Sequence, residues 1–247
     1  MKTSFTAFIL PLLFLLVSSC KKNDDEFKTA PAVVKAITQT PSGNITTFAY
    51  DAQGRLITKT NADGSNLVIT YYGDTVIETY NKFGAIPAYT RIIKIDSATG
   101  LAAAGLQLDS TGKLTGYLQF GFDGGGHMTL DKLTDTAQTV LYEKAWGYDG
   151  EGDLKSYFLT DNVAPDNTCQ YYYWQYYIGQ KNTITNGQPY YGKNSYRLIK
   201  TQVRFNNALG NVRYSFAYTF DEFNRVSTEK AYDHNDVLKY TNTYTYN

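Results

Sequence analysis

The chain has 247 residues, enough for one domain with a sizeable core or for two small ones. Its 23 Lys and Arg balance 23 Asp and Glu, which leaves no basic footprint for nucleic acid and no acidic tail. Tyr occurs 23 times beside 20 Gly and 6 Pro, a composition that excludes helical bundles and coiled coils and favours β-structure.

Lys2 precedes an apolar run from Phe8 to Val17. Ten residues are too few to cross a bilayer as a helix, so a secretory signal over 1–19 is expected. The run ends in Val17-Ser18-Ser19-Cys20, which resembles the bacterial lipobox, where cleavage falls before a Cys that becomes diacylated. An ordinary signal with an incidental Cys is the alternative. Several acyl chains bury enough hydrocarbon for stable anchoring. Lys21-Lys22-Asn23-Asp24-Asp25-Glu26 then reads either as a solvated tether or, by its Lys-then-acid order, as similar to the export signal of lipoproteins on the outer face of the Bacteroidota outer membrane. A tether over 20–32 is expected, and once Cys20 is lipidated Cys169 has no partner for an intramolecular disulfide.

From Val33 onward turn signals recur every 10 to 15 residues, among them Asp51 to Gly54, Asn61 to Gly64, Asp109 to Gly112, Asp123 to Gly126, Asp149 to Gly152 and Asp233 to Asp236. Asp and Asn bond their own backbone in turns, and Gly supplies positive φ. Between turns the period is two. In 213–220, Tyr214, Phe216, Tyr218 and Phe220 share one face and Arg213, Ser215, Ala217 and Thr219 the other, as in a half-buried antiparallel strand.

An internal repeat runs through this body. Tyr50-Asp51-x-x-Gly54-x-Leu56 recurs as Tyr148-Asp149-x-x-Gly152-x-Leu154, and Gly112 and Phe122 recur as Gly210 and Phe220, all at a shift of 98 residues. Arg91-Ile92-Ile93-Lys94 matches Arg197-Leu198-Ile199-Lys200 at a shift of 106. The copies span about 46–147 and 144–247. Hairpins that each bury one aromatic face need neighbours, and a long sheet curls or closes to remove its edges. The expected fold is a single all-β domain over 33–247: a large antiparallel up-and-down meander of about 14–16 strands, curled or closed into a barrel-like roll and internally duplicated.

The aromatic-Asp-x-x-Gly/Asn-x-apolar unit stands four times, at Tyr50–Leu56, Phe122–Met128, Tyr148–Leu154 and Phe220–Val226. It resembles the YD repeat of Rhs-type shell proteins. Together with the lipobox, length and hairpin spacing, it looks like an uncharacterised family of Bacteroidota surface lipoproteins with a porin-like fold. That resemblance implies a fold and a location on the outer membrane, facing the exterior, and implies no activity.

Candidate chemistry is sparse. Asp149-Gly-Glu151-Gly-Asp153 alternates carboxylates as a calcium loop begins, but Leu154 and Thr160 stand where an EF-hand needs Gly and Glu, so a plain turn is expected. Asp123-Gly-Gly-Gly126-His127 lacks the Lys and Ser/Thr of a phosphate loop. His127 and His234 form no His-rich metal site, and neither metal nor cofactor is expected. The aromatic run Tyr171 to Tyr177 is the best lead: on a strand, Tyr172, Trp174 and Tyr176 face one way and Tyr171, Tyr173 and Tyr177 the other. Aromatics on both faces suit a ligand platform on which sugar rings stack, with Tyr190 and Tyr191 rimming the same surface; the alternative is a strand packed on both faces. A lipid-facing girdle is disfavoured by the strand charges Arg91, Lys94, Lys200, Arg204 and Arg213. Asp74-Thr75-Val76, Asp96-Ser97-Ala98, Asp109-Ser110-Thr111 and Asp135-Thr136-Ala137 resemble Bacteroidota O-glycan acceptors. The expected function is a non-enzymatic surface lipoprotein, a binding or structural β-module for extracellular glycan or a partner protein and not for nucleic acid. The alternative is a hydrolase of an extracellular polymer that uses a carboxylate pair inside the roll.

Overall fold

The computed structural model describes residues 33–82, 88–162, 168–184, 188–206 and 210–247. The expected signal, Cys20 and the tether lie outside them. Sixteen strands follow in chain order: β1 (Val34–Thr40), β2 (Asn44–Tyr50), β3 (Leu56–Thr60), β4 (Asn66–Tyr72), β5 (Thr75–Asn81), β6 (Tyr89–Ile95), β7 (Ala102–Asp109) and β8 (Leu114–Phe122). They continue as β9 (Met128–Asp135), β10 (Val140–Tyr148), β11 (Leu154–Asp161), β12 (Thr168–Lys181), β13 (Arg197–Asn206), β14 (Gly210–Phe220), β15 (Val226–Tyr232) and β16 (Leu238–Tyr246). Each strand pairs antiparallel with the next, and β1 pairs with β16, so the meander closes into a barrel. Closure removes both edges of the sheet.

The four aromatic-Asp units lie at one rim, where β2, β8, β10 and β14 end. Their geometry is shared. In the first, Asp51 Oδ1 accepts the amides of Gln53 (3.0 Å) and Arg55 (2.9 Å), and Gly54 N–H donates to Asp51 O (3.0 Å). Gly54 takes φ 75°, and in the fourth unit Asn224 takes φ 58°, a value Asn tolerates better than most residues. The register slips as the chain enters the next strand, at Tyr50/Leu56, Tyr148/Leu154 and Phe220/Val226.

Breaks in the ladder give four of the 23 Tyr a structural role. The ladder from β3 to β4 starts at Thr58, so the carbonyl of Leu56 has no strand partner there; Tyr71 Oη donates to it instead (3.0 Å). Tyr176 does the same for Leu154 (2.6 Å), Tyr246 for Val226 (2.7 Å) and Tyr50 for Val34 (2.9 Å). A buried carbonyl left outside the ladder needs such a donor, and a long inward ring with a polar tip reaches it.

Inward and outward faces follow from contacts across the barrel. Arg91 on β6 donates to the hydroxyl of Tyr142 on β10 (2.8 Å), four strands away, so both point into the lumen. The inner wall is apolar over much of its area, with Leu56, Leu67, Ile69, Val76, Ile93, Leu118 and Leu133 in one cluster and Val34, Leu198, Val226 and Tyr244 in another. Among these it carries charge. Asp131 accepts from Tyr142 (3.0 Å) and pairs with Lys144 (3.4 Å), while Arg91 lies beside the rings of Tyr80, Tyr89 and Tyr142. Arg91 and Arg204 are thus luminal and say nothing against a lipid-facing outer wall, contrary to their use in the sequence reading. The outward charges include the pairs Lys94–Asp74 and Lys132–Glu143 (3.3 Å).

The shift-98 matches hold turn by turn but not strand by strand. Tyr50 and Tyr148 end β2 and β10, eight strands apart, whereas Phe122 and Phe220 end β8 and β14, six apart. Arg91 to Lys94 lies on β6 and Arg197 to Lys200 on β13, which run in opposite directions. Where the first half builds an extra hairpin, the second spends the same length on the 14-residue β12 and on the segment between β12 and β13.

Candidate functional site

That segment enters the lumen. It leaves β12 at the motif rim and returns to β13, with a 3-10 turn at Pro189–Tyr191. Tyr190 is 2 % exposed and meets Tyr71 of β4 edge-on (6.0 Å), while Tyr191 packs on Phe120 of β8 (5.8 Å). The turn has crossed to the opposite wall. Glu78 of β5, fully buried, anchors it: Oε1 accepts from Tyr190 Oη (2.6 Å) and Gln188 Nε2 (2.9 Å), and Oε2 from Tyr191 Oη (2.9 Å) and Tyr80 Oη (3.0 Å). Four donors satisfy the lone pairs of one carboxylate, which is what a buried charge requires. Lys193 N–H donates to Gly126 O (3.0 Å), and His127 bridges to Gly192, tying the returning chain to the β8–β9 turn.

The base of this plug explains the calcium-like run. Asp149, Glu151 and Asp153 all turn to Arg197, at 3.9 Å for Asp149, 2.6 Å for Glu151, and in close contact for the fully buried Asp153. The guanidinium occupies the place a cation would take, and among the described residues no group of three or more potential ligands forms a metal site. His127 approaches Asp123 (3.1 Å) and stacks on Tyr148 (4.7 Å), so it serves the turn and the plug. His234 lies exposed in the β15–β16 turn.

Of the expected site residues, Tyr172, Trp174 and Tyr176 share the inner face of β12, as alternation requires. Trp174 is 7 % exposed, stacks on Tyr172 (5.6 Å) and donates to Gln202 (3.3 Å), so it is a wall residue and not an open platform. Tyr190 and Tyr191 do not rim the same surface; they hold the plug to Glu78 on the far wall. The β12–β13 ladder is irregular from Gln175 to Lys181, and there Tyr177 leaves the outward set for the inner core, where its hydroxyl donates to Phe216 O (2.7 Å). Tyr171 and Tyr173 stay outward, each about two-fifths exposed.

Between plug and wall lies a cavity of about 460 Å³ that no sequence signal singled out. Trp146, Tyr148, Tyr191 and Tyr218 supply its rings, Asn182 and Asn194 of the plug its amides, Lys193 and Arg197 its cations, and Glu229 its acid. Glu229 accepts from Asn242 (3.0 Å), and burial raises its carboxyl above the usual carboxylate range despite hydrogen bonds from Asn242 and Tyr218. Burial likewise lifts the Tyr148 hydroxyl to about 12. The one legible hint was alternation: Glu229 shares a face with Ala231, and Glu78 with Val76 and Tyr80, acids where apolar residues belong.

The fold, a closed barrel of sixteen antiparallel strands, is similar to that of solved porin-like proteins. Residues 34–65, which hold the first Tyr-Asp unit, match the RHS Repeat family model. A porin-like protein from Bacteroides uniformis shares the fold with a TM-score of 0.60 at 11% identity, over 88% of this chain and 100% of that one. A second porin-like protein, from Bacteroides vulgatus, aligns at a TM-score of 0.56 and 14% identity, over 87% of this chain and 99% of the other. No curated protein matches the sequence.

Proposed function

We propose that the protein is a non-catalytic lipoprotein of the outer membrane, anchored through Cys20 and facing the exterior, whose barrel binds a small polyhydroxylated ligand, a glycan segment, in its lumen. The cavity between plug and wall carries this reading, because flat rings beside amides and one acid are the chemistry that stacks and hydrogen-bonds a sugar. The likeness to porin-like proteins of Bacteroides supports the location, and the lipobox supports the anchor. Trp146 reports on the cavity directly. Titration with an oligosaccharide panel should change tryptophan fluorescence in the wild type and not in Trp146→Phe; no response to any glycan would end the reading. For the anchor, a clickable fatty acid should label wild-type cells and miss Cys20→Ala.

Hydrolysis is the second reading, and the raised carboxyl of Glu229 is what favours it. A glycosidase needs a second carboxylate roughly 5 to 9 Å away. Among the described residues lining the cavity, Glu229 is the only carboxylate. Turnover of any polymer that is lost in Glu229→Gln would revive the enzyme.

A further inference from the structure

Several luminal charges have partners among the described residues. Glu78 is saturated by four donors, Asp131 faces Lys144 and Tyr142, Asp153 holds Arg197, and Arg91 lies among hydroxyls, an amide and rings. Arg204 of β13 stands apart. It faces the lumen in the half nearer the rim opposite the plug, in register with Tyr172 of β12 and Val212 of β14. Its Nε is buried without a hydrogen-bond partner among the described residues. None of the inward positions of β12, β13 or β14 carries a carboxylate. A guanidinium presents five donors in a fixed fork that fits a planar anion, and a buried, unused donor costs free energy until something accepts from it.

From this we infer that Arg204 is an anion-recognising residue of a second luminal subsite, and that its ligand is an acidic saccharide, one bearing a carboxylate or sulfate. The ring beside it supports the saccharide: Tyr172, in register with Arg204 and only partly buried, is braced by the buried Trp174 parallel to it (10° between planes) and by Tyr157 tilted against it (5.3 Å). The anion pairs with the guanidinium and the sugar ring meets Tyr172. The inference rests on the glycan reading above and specifies a different pair of strands and a charge.

Calorimetric titration of the full chain decides it, with uronate-containing, sulfated and neutral oligosaccharides of equal length and with inorganic sulfate as probes. Wild type should prefer an acidic class over the neutral one by about 10- to 100-fold, the worth of a charge-assisted hydrogen bond. Added salt should weaken only that binding, and the better of the uronate and sulfate series identifies the anion. Arg204→Gln should lose the preference while keeping its melting temperature, since Arg204 forms no ion pair with another described residue and its Nε has no acceptor to lose. Equal binding of acidic and neutral probes overturns the inference and leaves the glycan reading standing. Acidic binding that survives in Arg204→Gln, or that is insensitive to salt, overturns it as well. Absence of all binding, including to the neutral series, overturns both.

Discussion

Glu78 shows how one acid can organise a lumen. Its four donors come from β5 itself and from the plug, so removing the carboxylate orphans several buried hydroxyls at once. Each orphaned donor costs about 1–3 kcal/mol, and Glu78→Ala should lose roughly 3 kcal/mol or more in urea unfolding. Glu78→Gln, which still accepts through its amide oxygen, should lose less. Glu229 predicts the reverse. Its carboxyl is raised by burial, so the protonated form favours the fold: the stability it lends is present below the unfolded value near 4.3 and is lost as pH rises through the folded one. Glu229→Gln should therefore raise the melting temperature at neutral pH and leave it unchanged in acid. A lower melting temperature at pH 7 would contradict the cause assigned to the shift.

The turn is the element that repeats, and its aspartates behave alike. At Asp51 and Asp221 burial pushes the carboxyl up, but the amide and guanidinium of Arg55 and Arg225 outweigh it and hold it below the usual value. At Asp109 the Thr111 hydroxyl and two amides lower it, and at Asp96 the amides of Thr99 and Ala98 do. A depressed carboxyl stabilises the fold above its unfolded value near 3.9 and stops doing so as pH falls through the folded one. Acid unfolding should start just below pH 4, and Asp51→Asn should lower the melting temperature at neutral pH, leave it nearly unchanged in acid and so flatten its pH dependence. At Gly54, with φ 75°, Asn should be tolerated because Asn224 occupies the equivalent site, whereas Val should cost about 1–2 kcal/mol. These turns were legible because their chemistry is local: Asp, Gly and spacing suffice. The plug was not, since Pro189-Tyr190-Tyr191 owes its place to Glu78, 112 residues away, and no period in its own sequence points there. The bulge at Gln175/Tyr176 was equally hidden, because alternation predicts a face only while the register runs unbroken.

At the scale of the barrel, alternation and turn count led to an all-β meander of the right size, while closure depended on hydrogen bonds between the two most distant strands. Of the strand charges, Arg91 and Arg204 are luminal while Lys94 and Arg213 face outward, a division the sequence does not show because it does not say which face of a closed sheet is inside. Trp174 tests the wall. It is buried between Tyr172 and the β13 ladder, so Trp174→Ala should cost about 3–5 kcal/mol through lost burial and the cavity left behind. If the melting temperature held while glycan binding vanished, Trp174 would be a ligand platform after all. The strand count carries a further lesson. Equal spacing of 72 residues between units hides six strands in one half and four in the other, so what the chain duplicated is a turn with its flanks, and the halves were free to diverge in between.

The pairing of β1 with β16 also has a consequence in time. Gln39 and Asn242, whose side chains meet across that seam at 3.3 Å, are separated by 203 positions, so the first strand made waits for the last before it gains its second neighbour. Until then the growing sheet always has two live edges, β1 and whichever strand was made most recently. Bringing such distant ends together is the slow step in folds of this kind, because the entropy of the intervening chain is lost before the contact forms. A chain stopped short of β16 would therefore be no smaller barrel. It would be an open sheet ready to pair with another copy of itself, and the damage from losing the last strand would fall on the first.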